Sequence, residues 1–413
     1  MGFLYGISVR LYGAVIFLAQ LFSSKAKSWI DGRKNFWTRL PDVADKNVYW
    51  FHCASLGEFD QGLPLMNQLK KDDPSIFLVV TFFSPSGYEN HHKRNHLADF
   101  VCYLPLDTKS NANRFIAHFK PTHTFFIKYE FWINYILAAR RANSTLYSVS
   151  AIFRNDHRFF KWYGAFFRNT LKQFDYFFVQ NTSSLDLLHA IGIENAVVSG
   201  DTRFDRVIEN KKHVQPDATI EAFLNGERAL VVGSSWSEEE EIIADSLAWL
   251  SGRLKVIVAP HNINENHLRE IEKRFGSAIM RYSKFDPSFS GNVLLIDSIG
   301  RLANAYRFGN IAFVGGGFSG SLHNILEPAV FGLPVLFGPK HKRFPEAQTF
   351  IDAGVGFEIT DASTFQKAIQ FIFENESVLQ SNTANLVLES TGATQRIMDF
   401  IQQKRLAESN QPT

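Results

Sequence analysis

The chain has 413 residues, 45% of them hydrophobic and 20% charged, with a formal net charge of +2. That length exceeds one ordinary core and predicts two domains of roughly 150 to 200 residues each, and the balanced charge excludes a global signal for nucleic acid. The two cysteines, Cys53 and Cys102, lie inside apolar runs; they read as buried thiols of a reducing compartment and argue against a disulfide scaffold or a zinc site. Forty phenylalanines leave aromatic surface beyond what the cores need, which could face a lipid or a partner.

Gly2 to Phe22 is the most apolar segment of its length. It has neither the basic start nor the small-residue cleavage site of a signal peptide, so it reads as an uncleaved anchor. It is just long enough to span a bilayer, but Arg10 near its middle is costly there and favours a helix lying in the interface. Lys25, Lys27, Arg33 and Lys34 follow it and suit anionic lipids of the cytoplasmic leaflet. A helix packed on the protein's own core is the alternative.

From Val48 onward, short β-type runs alternate with amphipathic stretches. Val48 to Cys53, Ile76 to Thr81, Val101 to Leu104, Thr124 to Lys128, Thr145 to Ser150, Tyr176 to Gln180 and Val197 to Ser199 read as strands, with helices such as Phe59 to Lys71, Thr108 to Phe119 and Thr182 to Ile191 between them. The polar stretch Ile208 to Ala222, with Pro216 inside it, interrupts the alternation and reads as the linker. The pattern then resumes: Ala229 to Gly233, Leu254 to Ala259, Val293 to Ile296, Ile311 to Val314 and Val335 to Phe337 as strands, with helices Glu238 to Leu250 and Arg301 to Phe308. This predicts an α/β protein of two doubly wound Rossmann-like domains facing a cleft, with residues 1–30 as a membrane-associated helix, 31–210 as the first domain and 211–413 as the second.

The stretch Ile311 to Pro339 reads as strand, glycine turn (Gly315, Gly316, Gly317), helix from about His323 or Asn324, and strand. A glycine turn feeding a helix start is a place for a phosphate, and Glu327, one turn in, can accept hydrogen bonds from ribose hydroxyls; a plain tight turn is the alternative. In HCASLGEFDQGLPL, Glu58 stands at a strand-to-helix turn, as a general base or as the acid of an S-x-x-E capping box begun by Ser55. Glu130, opening the helix of KYEFWINY, could polarise a substrate hydroxyl or complement the helix N-terminus. Arg203 of SGDTRFDRV could meet an anionic group or pair with Asp201 or Asp205. In VGSSWSEEEE, Ser234 and Ser235 could touch phosphate, and Glu238 to Glu241 read as a dipole-complementing, solvated face. Pro260 and His261 end another strand, where His261 could reach a nucleotide. No metal-ligand spacing, Walker A motif or GxSxG elbow is present in the sequence.

Taken in order, the apolar N-terminus, HCASLGE, KYEFWIN, GDTRFD, GSSWSEEEE, APH and FVGGGFSGSLHNILEPAVFGLPVLFGP resemble the 3-deoxy-D-manno-octulosonic acid (Kdo) transferases of lipopolysaccharide synthesis, glycosyltransferases of GT-B fold, over nearly the whole chain. The resemblance implies Glu58 as base, with Glu130 and Arg203 stabilising the transition state. It implies CMP contacts at Pro260 and His261, at Ile299, Gly300 and Arg301, and at Asn324, Ile325, Leu326 and Glu327, with Gly316 and Gly317 at the phosphate. It further implies a CMP-Kdo donor, a lipid A precursor as acceptor, the membrane surface as partner at the cytoplasmic face of the inner membrane, no nucleic acid and no cofactor or metal; the two-domain architecture itself predicts closure on the donor. The sequence departs from the pattern: Arg203 replaces a lysine, Lys128 a glutamate, Ile133 a proline, His261 an arginine and Arg301 a glutamate, and Ser321 to Asn324 replaces a Gly-Gly-His-Asn run. The other readings are a GT-B enzyme using another nucleotide sugar and an inactive membrane-associated binding protein.

Overall fold

The structure, a computed structural model, describes residues 2–409. It divides into two units: the chain up to Arg206 together with Thr391 onward, and Val207–Ser390.

The first unit is built on a seven-stranded parallel sheet of β1 (Val48–Cys53), β2 (Phe77–Phe82), β3 (Phe100–Tyr103), β4 (His123–Ile127), β5 (Thr145–Ala151), β6 (Tyr176–Val179) and β7 (Ala196–Val198), in the order β3-β2-β1-β4-β5-β6-β7. β1 reads VYWFHC without alternation because both of its faces are covered. Its side chains still alternate between two cores: Val48 and Trp50 join Phe115, Phe126 and Tyr135, whereas Tyr49, Phe51 and Cys53 join Phe59, Leu63 and Phe125. Trp50 stands level with Val79 of β2 and Thr124 of β4.

The second unit repeats the plan with β8 (Ala229–Ser235), β9 (Lys255–Pro260), β10 (Ile279–Arg281), β11 (Val293–Leu295), β12 (Ile311–Val314), β13 (Val335–Phe337) and β14 (Gly356–Glu358), in the order β10-β11-β9-β8-β12-β13-β14. The edge strands β10 and β14 have three residues each and were not foreseen from the sequence. Residues 208–222 are not an open linker. They carry the end of the helix Thr202–Lys212 and most of the helix Ala218–Leu224, which Asp217 caps through Ile220 N at 3.2 Å.

The last helix, Ala393–Ser409, belongs to the first unit and not, as its place in sequence suggests, to the second. Ile397, Met398 and Ile401 are buried among Phe51, Phe178 and Ile127, and Phe400 stacks on Tyr176 at 3.9 Å between ring centres. Asp205 accepts from Gly392 N and Thr394 N at 2.6 Å each, so its carboxylate fixes the helix entry and is not the partner of Arg203.

The helix Gly2–Ala19 is long and apolar enough to cross a membrane by length and composition, with a mean hydropathy of 1.6. One stripe of it docks on the first unit: Val9 is buried, Tyr5 donates to Asp107, Gly13 lies against Leu106, and Tyr12 stacks with Phe83. Phe3, Leu4, Leu11, Val15, Phe17 and Leu18 stay exposed, as does Arg10. The helix thus packs on the protein along one stripe and leaves an apolar face exposed. Behind it, the Arg33 guanidinium lies over the Trp29 ring at 3.6 Å and donates to the carbonyls of Trp29, Leu104 and Phe83, which ties the helix Ser24–Asp31 to the sheet.

Candidate active site

Each sheet has a switch point where successive strands run off in opposite directions, between β1 and β4 in the first unit and between β8 and β12 in the second. Where loops from neighbouring strands turn opposite ways, a crevice opens outside the carboxyl ends of the strands. The candidate residues gather at these two points.

In the first unit Glu58 follows β1 and Glu130 follows β4. Ser55 caps the helix Leu56–Asp72 and Glu58 occupies the third position of the capping box: Glu58 N donates to Ser55 Oγ at 3.5 Å, and Glu58 Oε2 accepts from Ser55 N at 3.2 Å and from Ala54 N. Capping and a chemical role are therefore compatible, since the same bonds that cap the helix hold the carboxyl in one place. Glu58 is only 7% exposed. Burial and the neighbouring Glu130 push its carboxyl up to about 8, with Lys128 and the two backbone N–H groups opposing. Glu130 is likewise raised by burial, against the pull of Lys128. Lys128 takes a left-handed conformation, φ 68°, with its N–H on Val149 O at 2.8 Å, so the chain turns sharply out of β4.

Arg203 is held in a fork by Asp201, with Nη2 at 2.6 Å and Nε at 2.8 Å from Oδ2. Asp201 is buried, and against that burial Arg203 keeps its carboxyl below the usual range. Gln61 donates to Asp201 at 3.2 Å and Thr202 Oγ1 to Gln61 O at 2.6 Å, which links the Arg203 segment to the Glu58 helix. Of the residues forming this network, Lys128 and Asp201 had been read only as departures or partners.

In the second unit the glycine turn does not lie open. Gly315, Gly316 and Gly317 are all buried. A Cβ on Gly315 would collide with the Ser234 carbonyl, one on Gly316 (φ 85°) with the Ser321 carbonyl, and one on Gly317 with the backbone of Gly338. The glycines let three loops touch backbone to backbone. The Gly316 N–H donates to Glu239 Oε1 at 2.9 Å, and Glu239 Oε2 accepts from Trp236 N at 2.9 Å. Glu239 is therefore 0% exposed, bridging the β8 and β12 loops across the switch point, and burial pushes its carboxyl up to about 7. Glu240 is buried as well, on Ser235 Oγ at 3.0 Å and His267 Nε2 at 3.1 Å. Two of the four glutamates read as a solvated face are thus interior, and the Ser235 hydroxyl is bonded to one of them.

The helix expected from His323 or Asn324 is one turn, Leu326–Ala329, with Ile325 as its N-cap residue. Asn324 Oδ1 accepts from Leu326 N at 3.1 Å and its Nδ2 donates to Glu327 at 3.3 Å, so these side chains order the turn among themselves. The His261 ring stacks on Trp236 and lies tilted against His323, with both ring centres 4.6 Å away, just past Pro260 at the end of β9. This aromatic platform joins the β8, β9 and β12 loops; His323 and Trp236 had no role in the sequence reading. Arg301 does not join it: Nη1 lies 2.7 Å from Tyr282 Oη and 3.3 Å from Asp217, and Nε 3.0 Å from Ser298 Oγ. Ile299 beside it is 78% exposed, and Gly300 turns with φ 89°.

A family model described as 3-Deoxy-D-manno-octulosonic-acid transferase (kdotransferase) matches residues 31–206. The 3-deoxy-D-manno-octulosonic acid transferase of Aquifex aeolicus is 28% identical over 321 residues, covering 76% of this chain and 82% of the relative. That of Haemophilus influenzae is 26% identical over 367 residues, 85% of this chain and 86% of the relative. Among solved structures, UDP-GlcNAc 2-epimerase from Neisseria meningitidis superposes with a TM-score of 0.62 at 15% identity over 86% of this chain and 99% of its own, a likeness of fold alone. Over residues 31–206 the chain thus matches the Kdo transferase family model, along most of its length it is similar to transferases of that family, and its two parallel seven-stranded sheets have the GT-B architecture.

Proposed function

We propose that the protein transfers Kdo from CMP-Kdo to a lipid A precursor at the cytoplasmic face of the inner membrane, by direct displacement with inversion. The observation that carries this reading is the buried Glu58 carboxyl beside the half-buried Glu130 at the switch point of the first sheet. A buried carboxyl with a raised proton affinity is a stronger base once ionised, and its capping bonds leave it no freedom to swing away. An acceptor hydroxyl gives its proton to Glu58 as its oxygen forms a bond to the anomeric carbon; the bond from that carbon to the phosphate oxygen breaks, and CMP leaves with the electron pair. Glu130 orients the acceptor, and the Arg203 guanidinium, fixed by Asp201, stabilises developing negative charge by its own positive charge.

The second unit takes the CMP. The Trp236–His261–His323 platform suits a pyrimidine face, Pro260 and Asn324 to Glu327 border the ribose, and Ile299 to Arg301 form the outer edge. The phosphate is met by donors of the loops after β8 and β12, with Gly316 and Gly317 supporting those loops from beneath. The helix Gly2–Ala19 holds the enzyme at the membrane surface where the acceptor resides.

Transfer from CMP-Kdo to a tetraacylated lipid A precursor in detergent, with products read by mass, tests the proposal. Kdo addition by the wild type and its loss in a folded, CMP-binding Glu58→Gln variant is the expected result. Full transfer by that variant would remove Glu58 from the role, and CMP binding without transfer by the wild type would redirect the reading to another CMP-sugar or acceptor.

A further inference from the structure

Trp162 is 91% exposed and Tyr163 47% exposed, next to each other in the loop that follows β5. They are the central residues of a tight turn, Gly164 N donating to Lys161 O at 2.9 Å. Such positions ordinarily favour Gly, Pro, Asn, Asp or Ser. The turn is braced from inside: Arg168 Nη1 donates to Phe159 O at 3.0 Å and to Lys161 O at 2.9 Å, and a Cβ on the buried Gly164 would collide with the Arg158 carbonyl. Two large rings are thus held out into solvent by a rigid base.

The surroundings name the partner. Tyr163, Arg158 and Phe167 line a cavity of about 560 Å³ together with Tyr5 of the N-terminal helix, and Phe166 lies against both Gly2 and Tyr5. The turn therefore lies beside the N-terminal end of that helix, next to which Phe3 and Leu4 are exposed. Arg154, Arg158 and Lys161 precede the rings in sequence, set against Asp156 and, in the same cavity, Glu130, and Lys25 and Lys27 follow the helix. Aromatic tips with cations around them match the headgroup level of an anionic bilayer. We propose that the Lys161–Gly164 turn is a second membrane contact, seating Trp162 and Tyr163 in the interface of an anionic phospholipid bilayer beside the N-terminal helix. It rests on the reading of that helix as a membrane anchor. Two contacts set the orientation of the first unit on the bilayer, which one helix lying in the interface does not.

The test uses the full chain with phosphatidylcholine–phosphatidylglycerol vesicles whose acyl chains are brominated to quench tryptophan. Wild type is compared with Trp162→Phe for quenching and with the double variant Trp162→Ser, Tyr163→Ser for partition; both changes are at exposed side chains. The expected results are a quenched emission component in the wild type that Trp162→Phe lacks, and a partition coefficient roughly ten- to fiftyfold lower in the double variant. If the wild type binds vesicles but Trp162→Phe quenches equally and the double variant partitions as the wild type does, the second contact is wrong while the anchor stands. If the wild type does not bind vesicles at all, the anchor reading fails and takes the proposal with it. If the double variant converts a vesicle-free dimer to a monomer with partition unchanged, the turn is a self-association face and the proposal is overturned.

Discussion

If Glu58 is the base, its proton affinity must appear in the rate. Its carboxyl is pushed up to about 8, so the reactive carboxylate accumulates as pH rises, and kcat/KM should climb with unit slope from pH 6 and level off above about 8. The neighbours then move the limb in opposite directions. Glu130→Gln removes a like charge and shifts the limb to lower pH, and Lys128→Met removes the opposing charge and shifts it to higher pH, each by roughly one to two pH units at the effective dielectric of such sites. Stability carries the same signature. Between the usual 4.5 and about 8 the folded state keeps a proton that the unfolded chain has lost, so stability falls as pH rises through that window, by on the order of 5 kcal/mol in all. Glu58→Gln should abolish that fall. Urea unfolding at pH 5 and pH 9, beside the rate profiles, reads both effects. Shifts of the same sign in Glu130→Gln and Lys128→Met, or a pH-independent rate from 6 to 9, would refute the reasoning.

Glu239→Leu should lower urea stability by about 2 to 5 kcal/mol, because the buried N–H groups of Trp236 and Gly316 lose their acceptor, and should weaken CMP binding measured by calorimetry; Glu239→Gln keeps one bond and should cost less. Gly317→Ala drives a methyl into the Gly338 backbone and should lower the melting temperature while leaving far-ultraviolet dichroism at low temperature unchanged. Ile397→Ala should destabilise by about 2 to 5 kcal/mol in denaturant titration, and the loss should show in the emission of the first unit's aromatics. Arg33→Lys keeps the charge but not the planar fork that meets three carbonyls, and a Tm drop of several degrees in thermal unfolding is expected.

The strands of the two sheets were legible because continuous apolar runs such as VYWFHC admit few alternatives once helical stretches flank them. The same rule missed Ile279–Arg281 and Gly356–Glu358, since three residues carry no period. Glu58 was legible as a position; that its capping and its burial go together depends on Glu130 arriving from β4, which is tertiary information. The run EEEE hides which carboxylates are interior. The signal was there in outline: Glu239 stands three residues after Trp236, the capping-box position, and Glu239 and Glu240 precede the buried Ile242 and Ile243 at helical spacing. The glycine turn was legible as a turn but its backbone-to-backbone packing was not, because glycine serves such packing as readily as phosphate approach and only the neighbouring loops show it. Ile397, Met398 and Ile401 announce an apolar face but not what it covers.

The return of the last helix to the first unit has a consequence for biosynthesis. The ribosome completes β1 to β7 early, yet the face bearing Phe51, Tyr176 and Phe178 waits for residues 393–401. Residues 207–390 must emerge in between, roughly ten to forty seconds at ordinary elongation rates. During that interval the nascent chain carries an unfinished hydrophobic surface beside an apolar leader, a state suited to chaperone capture or early delivery to the bilayer. The second unit thus folds as an insertion within an unfinished first one.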